Sequence, residues 1–296
     1  VRIQFGDFEI TRIGETLGPG FSTRVLLPDF DSVAIERHPT CFTPDHYSAD
    51  LQRLILSVHA WLIRRGHDVI LVDTCGGNEK ERPDMPGFHR QRHPFLANLA
   101  AAGVTPDDVT MVINTHLHVD HVGWNTRLID GAWRPTFPHA TYVFPRADRE
   151  RFDPRHRDFV GGDGNARVFT DSVQPVLDAA KVQIVDEPEP ILGAISVEPA
   201  PGHSPGHMVV VLEHDGAEAI CTGDVFHHII QVHEPDWSSG FCWDPAMARD
   251  SRRRLLYRAA ERNSLLLPGH CGVPHFGRVR TNAATNGFLF MPGATV

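Results

Sequence analysis

The sequence predicts an α+β fold in which two β-layers are clad by outer helices. Three observations carry that prediction. Strand-like runs stand on both sides of a helical middle, and a last helix and strand follow them. The 296 residues contain no internal repeat and no Pro- or Ser-rich linker, so residues 1–296 read as one domain. Every distinctive polar cluster falls just after a strand end, where layered proteins assemble sites without disturbing the core.

The elements follow in order. Val1, Ile3, Phe5 and then Phe8 and Ile10 alternate about Gly6-Asp7, so residues 1–13 predict a hairpin. After a Gly-Pro-Gly turn, FSTRVLLP alternates again and predicts a second extended stretch. Apolar residues in LQRLILSVHAWLIRR, residues 51–65, recur at helical spacing, and Val69–Leu71 then read as a short buried strand ending in Asp73. HPFLANLAAAG predicts a helix stopped by Gly103. Thr105-Pro106-Asp107-Asp108 carries an N-cap, a first-turn proline and an acid three residues after the cap, which predicts one helical turn leading into the strand VTMVINT. ATYVF, residues 140–144, reads as a strand. Residues 145–168 are charged and glycine-rich; the plain reading is a solvated face, the sharper one an active-site flap. Phe169, Val173, Val176, Leu177 and Ala180 mark a helix of about three turns. KVQIV, AISVEPA, HMVVVLEH and EAICTG read as strands, Pro245–Arg262 as an amphipathic helix, and SLLLPG as a final buried strand.

Composition narrows the class. Apolar residues make up 41% and charged residues 22%, which excludes a disordered or collagen-like chain. With 37 acidic against 28 basic residues the net charge is -9, which argues against a nucleic-acid partner, since a duplex normally calls for a basic face. The longest apolar runs are too short to span a membrane, and the alternating first residues look like a strand rather than a signal peptide. The five cysteines, Cys41, Cys75, Cys221, Cys242 and Cys271, include no close pair, which fits a reducing, cytoplasmic setting. The 19 histidines exceed what a core requires.

Those histidines concentrate in Thr115-His116-Leu117-His118-Val119-Asp120-His121-Val122-Gly123, where four metal-capable side chains occur in six residues directly after a strand. A spacing of two puts His116 and His118 on one side of extended backbone, and Asp120 and His121 reach a neighbouring point as the chain turns. Further ligand types follow later strands: His203 in PGHSPGH, Asp224 after CTG and His270 after LPG. Five histidines and two aspartates suffice for two four- or five-coordinate divalent ions sharing a carboxylate and a water.

With these residues the chain resembles the metallo-β-lactamase superfamily over roughly residues 20–280. The resemblance implies a four-layer αβ/βα sandwich, two β-sheets between outer helices. It also implies that His116, His118 and His203 hold one metal, that Asp120, His121 and His270 hold the other, and that Asp224 bridges the two. Asp73, in LVDTCGG, matches the family's early aspartate, which supports the ligand loop, and His207 supports the turn that carries His203. The implied cofactor is two divalent ions, zinc foremost, with manganese, cobalt and iron as alternatives. Such a pair makes a bridging hydroxide available near neutral pH for attack on an electrophilic carbonyl or phosphoryl centre. Asp120 then ligates and also orients the water or passes a proton.

Branches that process nucleic acids usually add a domain, and glyoxalase-II-like thioesterases add a C-terminal helical extension. Here only about 26 residues follow His270. Lactonase-like and methyl-parathion-hydrolase-like patterns fit better. Quorum-signal lactonases commonly carry a tyrosine three residues after the bridging aspartate. This chain has His227 there, and Gln231, Val232 and Pro235 resemble the methyl-parathion-hydrolase-like stretch. His227 is either a hydrogen-bond donor to substrate or a packing residue. The expected reaction is hydrolysis of a small-molecule lactone or carboxylic ester. The alternatives are a phosphotriesterase, a β-lactamase, a mononuclear iron persulfide dioxygenase and a non-catalytic metal-binding protein. Trp124, Asn125, Phe137 and Trp237 are the expected pocket wall, although loop aromatics often only anchor their loops. Related enzymes are often homodimers, and the resemblance extends that expectation to this chain.

Overall fold

The amino-terminal alternation folds as a hairpin in the computed structural model, which describes every residue except 158, 160, 161, 284–286 and 294–296. Strand β1 (Arg2–Phe5) turns at Gly6-Asp7 and returns as β2 (Phe8–Ser22), with Phe5 opposite Phe8. The chain divides into two compact units, residues 1–15 with 58–188 and residues 16–57 with 189–296. It crosses from one unit to the other within β2 and crosses back within β4.

The next strands are β3 (Tyr47–Ser48), β4 (Arg53–Arg65), β5 (Asp68–Val72) and β6 (Met111–Ile113), then a separate hairpin of β7 (Thr126–Ile129) and β8 (Ala132–Pro135), then β9 (Thr141–Pro145) and β10 (Lys181–Val185). The larger sheet runs β1-β2-β4-β5-β6-β9-β10, with β3 paired to β4. Residues 53–65 are therefore a strand, not part of the helix that the spacing over 51–65 predicts. β4 lies between two neighbours and is buried along most of its length, so its apolar run carries no clean period of two. FSTRVLLP also differs from its reading. Extended backbone stops at Ser22, Thr23–Leu26 forms one helical turn, and the adjacent Leu26 and Leu27 are both buried, which alternation does not allow.

In the first unit β5, β6, β9 and β10 are parallel, with Val72 paired to Ile113. Their carboxyl ends therefore share one edge, and the loops opening at Asp73 and Asn114 leave side by side. The core gathers Leu62, Leu71, Val112, Tyr142 and Phe144 from the strands with Phe95, Leu99, Phe169, Val173 and Val176 from the helices. The helix predicted around 169–180 starts at Asp163 and widens into a π-type turn over Phe169–Val173 before Gln174–Ala179. Within residues 145–168, Arg146–Phe152 is helical; part of the suggested flap, at 158, 160 and 161, lies outside the described residues.

The second unit holds the strands β11 (Glu189–Leu192), β12 (Ile195–Pro199), β13 (Met208–His214), β14 (Ala217–Gly223), β15 (Leu265–Pro268), β16 (Gly277–Asn282) and β17 (Gly287–Pro292), paired in that order. Pro199 faces Met208, and β14 is parallel to β15 with Cys221 beside Leu267. The turn carrying His203 and the ends carrying Asp224 and His270 therefore lie at one end of this sheet. The helix Pro245–Arg262 forms as predicted: the Asp244 side chain accepts from Ala246 N at 3.0 Å and Met247 N at 2.9 Å, Pro245 opens the first turn, and Asn263 closes the helix in the left-handed region. The strand pair β16–β17, beyond the predicted last strand, completes the sheet.

Candidate functional site

In the first unit the motif begins where β6 ends. Asp73, in the left-handed region at φ 62, is the anchor. Its Oδ1 accepts from Thr115 N at 2.8 Å, and its Oδ2 accepts from Thr115 Oγ1 at 2.9 Å and from His121 Nδ1 at 2.8 Å. A carboxylate can only accept, so His121 carries a proton on Nδ1, and in the neutral ring the lone pair is at Nε2, 3.8 Å from Asp120 Oδ1. The Thr115 hydroxyl hydrogen is committed to Asp73, so Thr115 Oγ1 accepts from His116 Nδ1 at 3.0 Å. His116 then also presents Nε2 as a lone pair, 3.1 Å from His118 Nδ1.

Two further buried carboxylates hold this loop, and neither was among the residues singled out from the sequence. Asp148, on the helix Arg146–Phe152, accepts from Leu117 N at 3.0 Å, and Phe152 from the same helix face packs its ring on His118 at 5.5 Å. Their spacing of four in RADRERF was the available signal, masked by the surrounding charges. Glu15 accepts from Gly76 N at 2.8 Å, Gly77 N at 3.0 Å and the Trp124 indole at 2.7 Å. Burial pushes the Glu15 carboxyl upward, against the opposing pull of these three donors.

In the second unit Asp224 is buried and surrounded by imidazoles. Its Oδ2 lies 3.2 Å from His203 Nε2 and 3.1 Å from His227 Nε2, and its Oδ1 lies 3.0 Å from His270 Nε2. His270 Nδ1 is 2.8 Å from the Ser57 carbonyl oxygen, which can only accept. The His270 proton is therefore on Nδ1, and in the neutral ring a lone pair faces a carboxylate oxygen. Such a pair repels unless a cation sits with it, and protonating all three rings would place three positive charges about one buried carboxylate. Imidazole nitrogen with carboxylate oxygen is the donor set of zinc and similar divalent ions, so these residues fit the implied metal. His203, Asp224 and His227 alone bring three ligand atoms within 4.8 Å of one another.

The supports of this cluster are also set by the fold. His207 Nε2 accepts from Asp224 N at 2.9 Å, so His207 holds the aspartate's backbone as well as the turn. Cys242 Sγ lies 3.8 Å from His203 Nδ1, and burial pushes that thiol up to about 11, so it stays protonated near neutrality. His227 stacks on His270 with rings 5.7 Å apart, its backbone N donates to Gln231 Oε1 at 2.8 Å, and its Nδ1 has no hydrogen-bond partner among the described residues.

The residues expected in the pocket wall are placed as follows. Trp124 stacks on Phe95 at 5.4 Å within the first unit's core, and Phe137 is fully buried there. Asn125 is fully buried and bonded to Thr74 and Asn114. All three are interior residues of that unit. Trp237 is half-buried and packs edge-on to Phe30 at 5.8 Å in the second unit.

Residues 54–270 match the family model described as the metallo-beta-lactamase superfamily. An N-acyl homoserine lactonase, AttM, of Azorhizobium caulinodans is 31% identical over 160 residues, covering 49% of this chain and 54% of the relative. The probable metallo-hydrolase YybB of Bacillus subtilis is 26% identical over 173 residues, 58% of this chain and 64% of the relative. An N-acyl homoserine lactonase of Bacillus thuringiensis is 25% identical over 58% of this chain and 60% of its own. The chain thus spans between about half and two thirds of the length of these curated relatives. Among solved structures, the hydrolase AbOPH of the beta lactamase superfamily aligns over 100% of this chain and 97% of its own, with a TM-score of 0.79 at 21% identity. AidC, a dizinc quorum-quenching lactonase solved with the product N-hexnoyl-L-homoserine, aligns over 100% and 98%, with a TM-score of 0.75 at 20% identity. These likenesses show the fold, and the α+β class predicted from the sequence stands. Among the described residues no helix is long and apolar enough to cross a membrane.

Proposed function

Because the chain belongs to the metallo-beta-lactamase superfamily, we propose that it is a divalent-metal hydrolase acting on a small-molecule lactone or carboxylic ester. The observation that carries this reading is the buried Asp224 carboxylate facing three imidazole Nε2 atoms, one of which, on His270, is a lone pair whenever the ring is neutral, because the single proton is then held on Nδ1 by Ser57 O. The ligands proposed are His116, His118, Asp120 and His121 from the motif, with His203, Asp224 and His270 from the later strand ends. The names of the lactonase relatives support the lactone class. The dizinc neighbour supports zinc as the metal, and five cysteines that form no disulfide support a reducing, cytoplasmic setting.

Bound divalent ions lower the pKa of water and polarise a substrate oxygen. The chain's residues supply the rest. Asp73, Thr115 and Ser57 fix the tautomers of His121, His116 and His270, so that each presents Nε2 without rearrangement. Asp120 orients the attacking water and takes its proton. His227, whose Nδ1 no neighbour holds, donates a hydrogen bond to the substrate.

The test is metal analysis of the purified protein, followed by a zinc-reconstituted panel of lactones, aryl esters, phosphotriesters and a β-lactam, run beside Asp120→Asn. Lactone or ester turnover that requires metal and collapses in D120N is expected. A protein that holds no metal and gains none from added zinc or manganese overturns the reading, as does undiminished ester hydrolysis in D120N. Phosphotriester or β-lactam turnover alone overturns the substrate class.

A further inference from the structure

We propose that Glu15 is a positioning residue for the metal-ligand loop, acting on His121 through the strained segment that carries Asp73. What it positions rests on the metal reading above; how it does so rests on hydrogen bonds within the first unit.

The segment after β5 is conformationally costly. Asp73, Cys75 and Gly77 have φ values of 62, 53 and 78, so two non-glycine residues lie in the left-handed region within three positions. Such backbone persists only where neighbours over-determine it. On one side the segment is zipped to the motif: Thr74 N donates to His121 O at 2.8 Å, Gly123 N to Cys75 O at 2.7 Å and Trp124 N to Thr74 O at 2.8 Å. The contact is backbone on backbone, since a Cβ on Gly123 would lie 2.0 Å from Gly76 C and O. On the other side the adjacent amides of Gly76 and Gly77 converge on the Glu15 carboxylate, an arrangement suited to an anion.

Glu15 therefore grips both partners of the zip, the segment through Gly76 and Gly77 and the motif's end through the Trp124 indole. Its two oxygens accept three N–H groups. A glutamine of the same shape offers one oxygen and turns the other position into a donor, so at least one buried N–H must face an NH2 group. If Glu15 merely filled space, glutamine would serve as well. If it positions the loop, the strain is released at Asp73, and the Asp73–His121 hydrogen bond is the first contact to change.

The test compares E15Q with Val176→Ala, a core truncation in the same unit chosen to give a comparable loss of melting temperature. Two readouts are taken. In metal-free protein carrying labelled histidine, the His121 Nδ1–H resonance, assigned by its absence in H121Q, reports the bond to Asp73. Zinc affinity is then measured by competition with a chromophoric chelator. E15Q is expected to lose or shift the resonance and to bind zinc about tenfold more weakly, as removal of an outer support typically does; V176A is expected to change neither. An unchanged resonance and affinity in E15Q, or equal changes in both variants, overturn the proposal. A wild-type protein that takes up no zinc overturns the metal reading instead, and the resonance still decides Glu15. Should E15Q not accumulate as folded protein, Trp124→Phe removes only the indole donor, and a His121 resonance that does not move in W124F overturns the proposal.

Discussion

Asp73→Asn separates the hydrogen bonding of the ligand loop from its backbone strain. Asparagine tolerates the left-handed region at least as well as aspartate, so φ 62 at this position adds no new penalty. What changes is the acceptor count. The native carboxylate takes Thr115 N on one oxygen, and Thr115 Oγ1 and His121 Nδ1 on the other. With the amide nitrogen facing Thr115 N, two donors meet. With the amide turned over, His121 must accept at Nδ1, and its proton moves to Nε2, the nitrogen assigned to the metal. The first arrangement strands a buried N–H at a cost of about 1–3 kcal/mol. The second inverts the tautomer of a ligand and lowers metal affinity by about 10- to 100-fold, or about 1.4–2.7 kcal/mol at about 1.4 kcal/mol per tenfold. Melting of the metal-free protein reads the first, and zinc competition against a chelator reads the second. The expected result is weakened zinc binding with a thermal midpoint only modestly lower. D73N protein that binds zinc with wild-type affinity refutes the tautomer argument.

Two further predictions concern groups away from the ligands. Arg82 is bidentate on buried Asp171 at 2.6 and 2.7 Å, while Lys80 lies 3.6 Å from the same carboxylate and 3.7 Å above the Trp133 ring. Two cations thus share one anion, and burial, only partly offset by Asp171, lowers the Lys80 amine to about 7. Arg82→Met should therefore cost about 3–5 kcal/mol in urea denaturation at pH 7, and Lys80→Met less than half of that; equal losses refute the unequal sharing. Because the folded pKa of Lys80 lies below its unfolded value of 10.5, its contribution to stability is lost as pH falls from 10.5 towards 7, and K80M should abolish that slope. Half-buried His233 is lowered to about 4 and buried His228 to about 3, both chiefly by desolvation. Below pH 6.5 the unfolded chain takes up protons that the folded protein refuses. Stability should therefore fall from pH 6.5 downwards, and the His233 part should be complete near pH 4. Denaturant midpoints of metal-free protein between pH 4 and 8 should show a shallower fall in His233→Gln than in wild type, and parallel curves refute the assignment.

The sequence by itself determined the chemistry that is dense and local. HxHxDH directly after an apolar strand, and His203, Asp224 and His270 beside glycines, mark residues that could hold a metal, because a strand's end is where short backbone can present several side chains together. It also determined most elements, since alternation, a capped turn and a proline-led helix are properties of a few consecutive residues. The hairpin β7–β8 is likewise encoded locally, in Asp130-Gly131 with both φ positive. Tertiary structure decided what depends on partners far along the chain. Residues 53–65 became a strand because a sheet claimed both their edges, which no local period records. Trp124 and Asn125 became interior residues because Phe95, Glu15 and Thr74 received them. Above all, the proton positions of the ligand imidazoles belong to the fold. The carbonyl that directs His270 lies 213 residues away in sequence, and the carboxylate that steadies the motif's end lies 109 residues from Trp124. Ligand identity follows from residue type, which a sequence states; tautomer and orientation follow from directional hydrogen bonds, which exist only once distant segments meet.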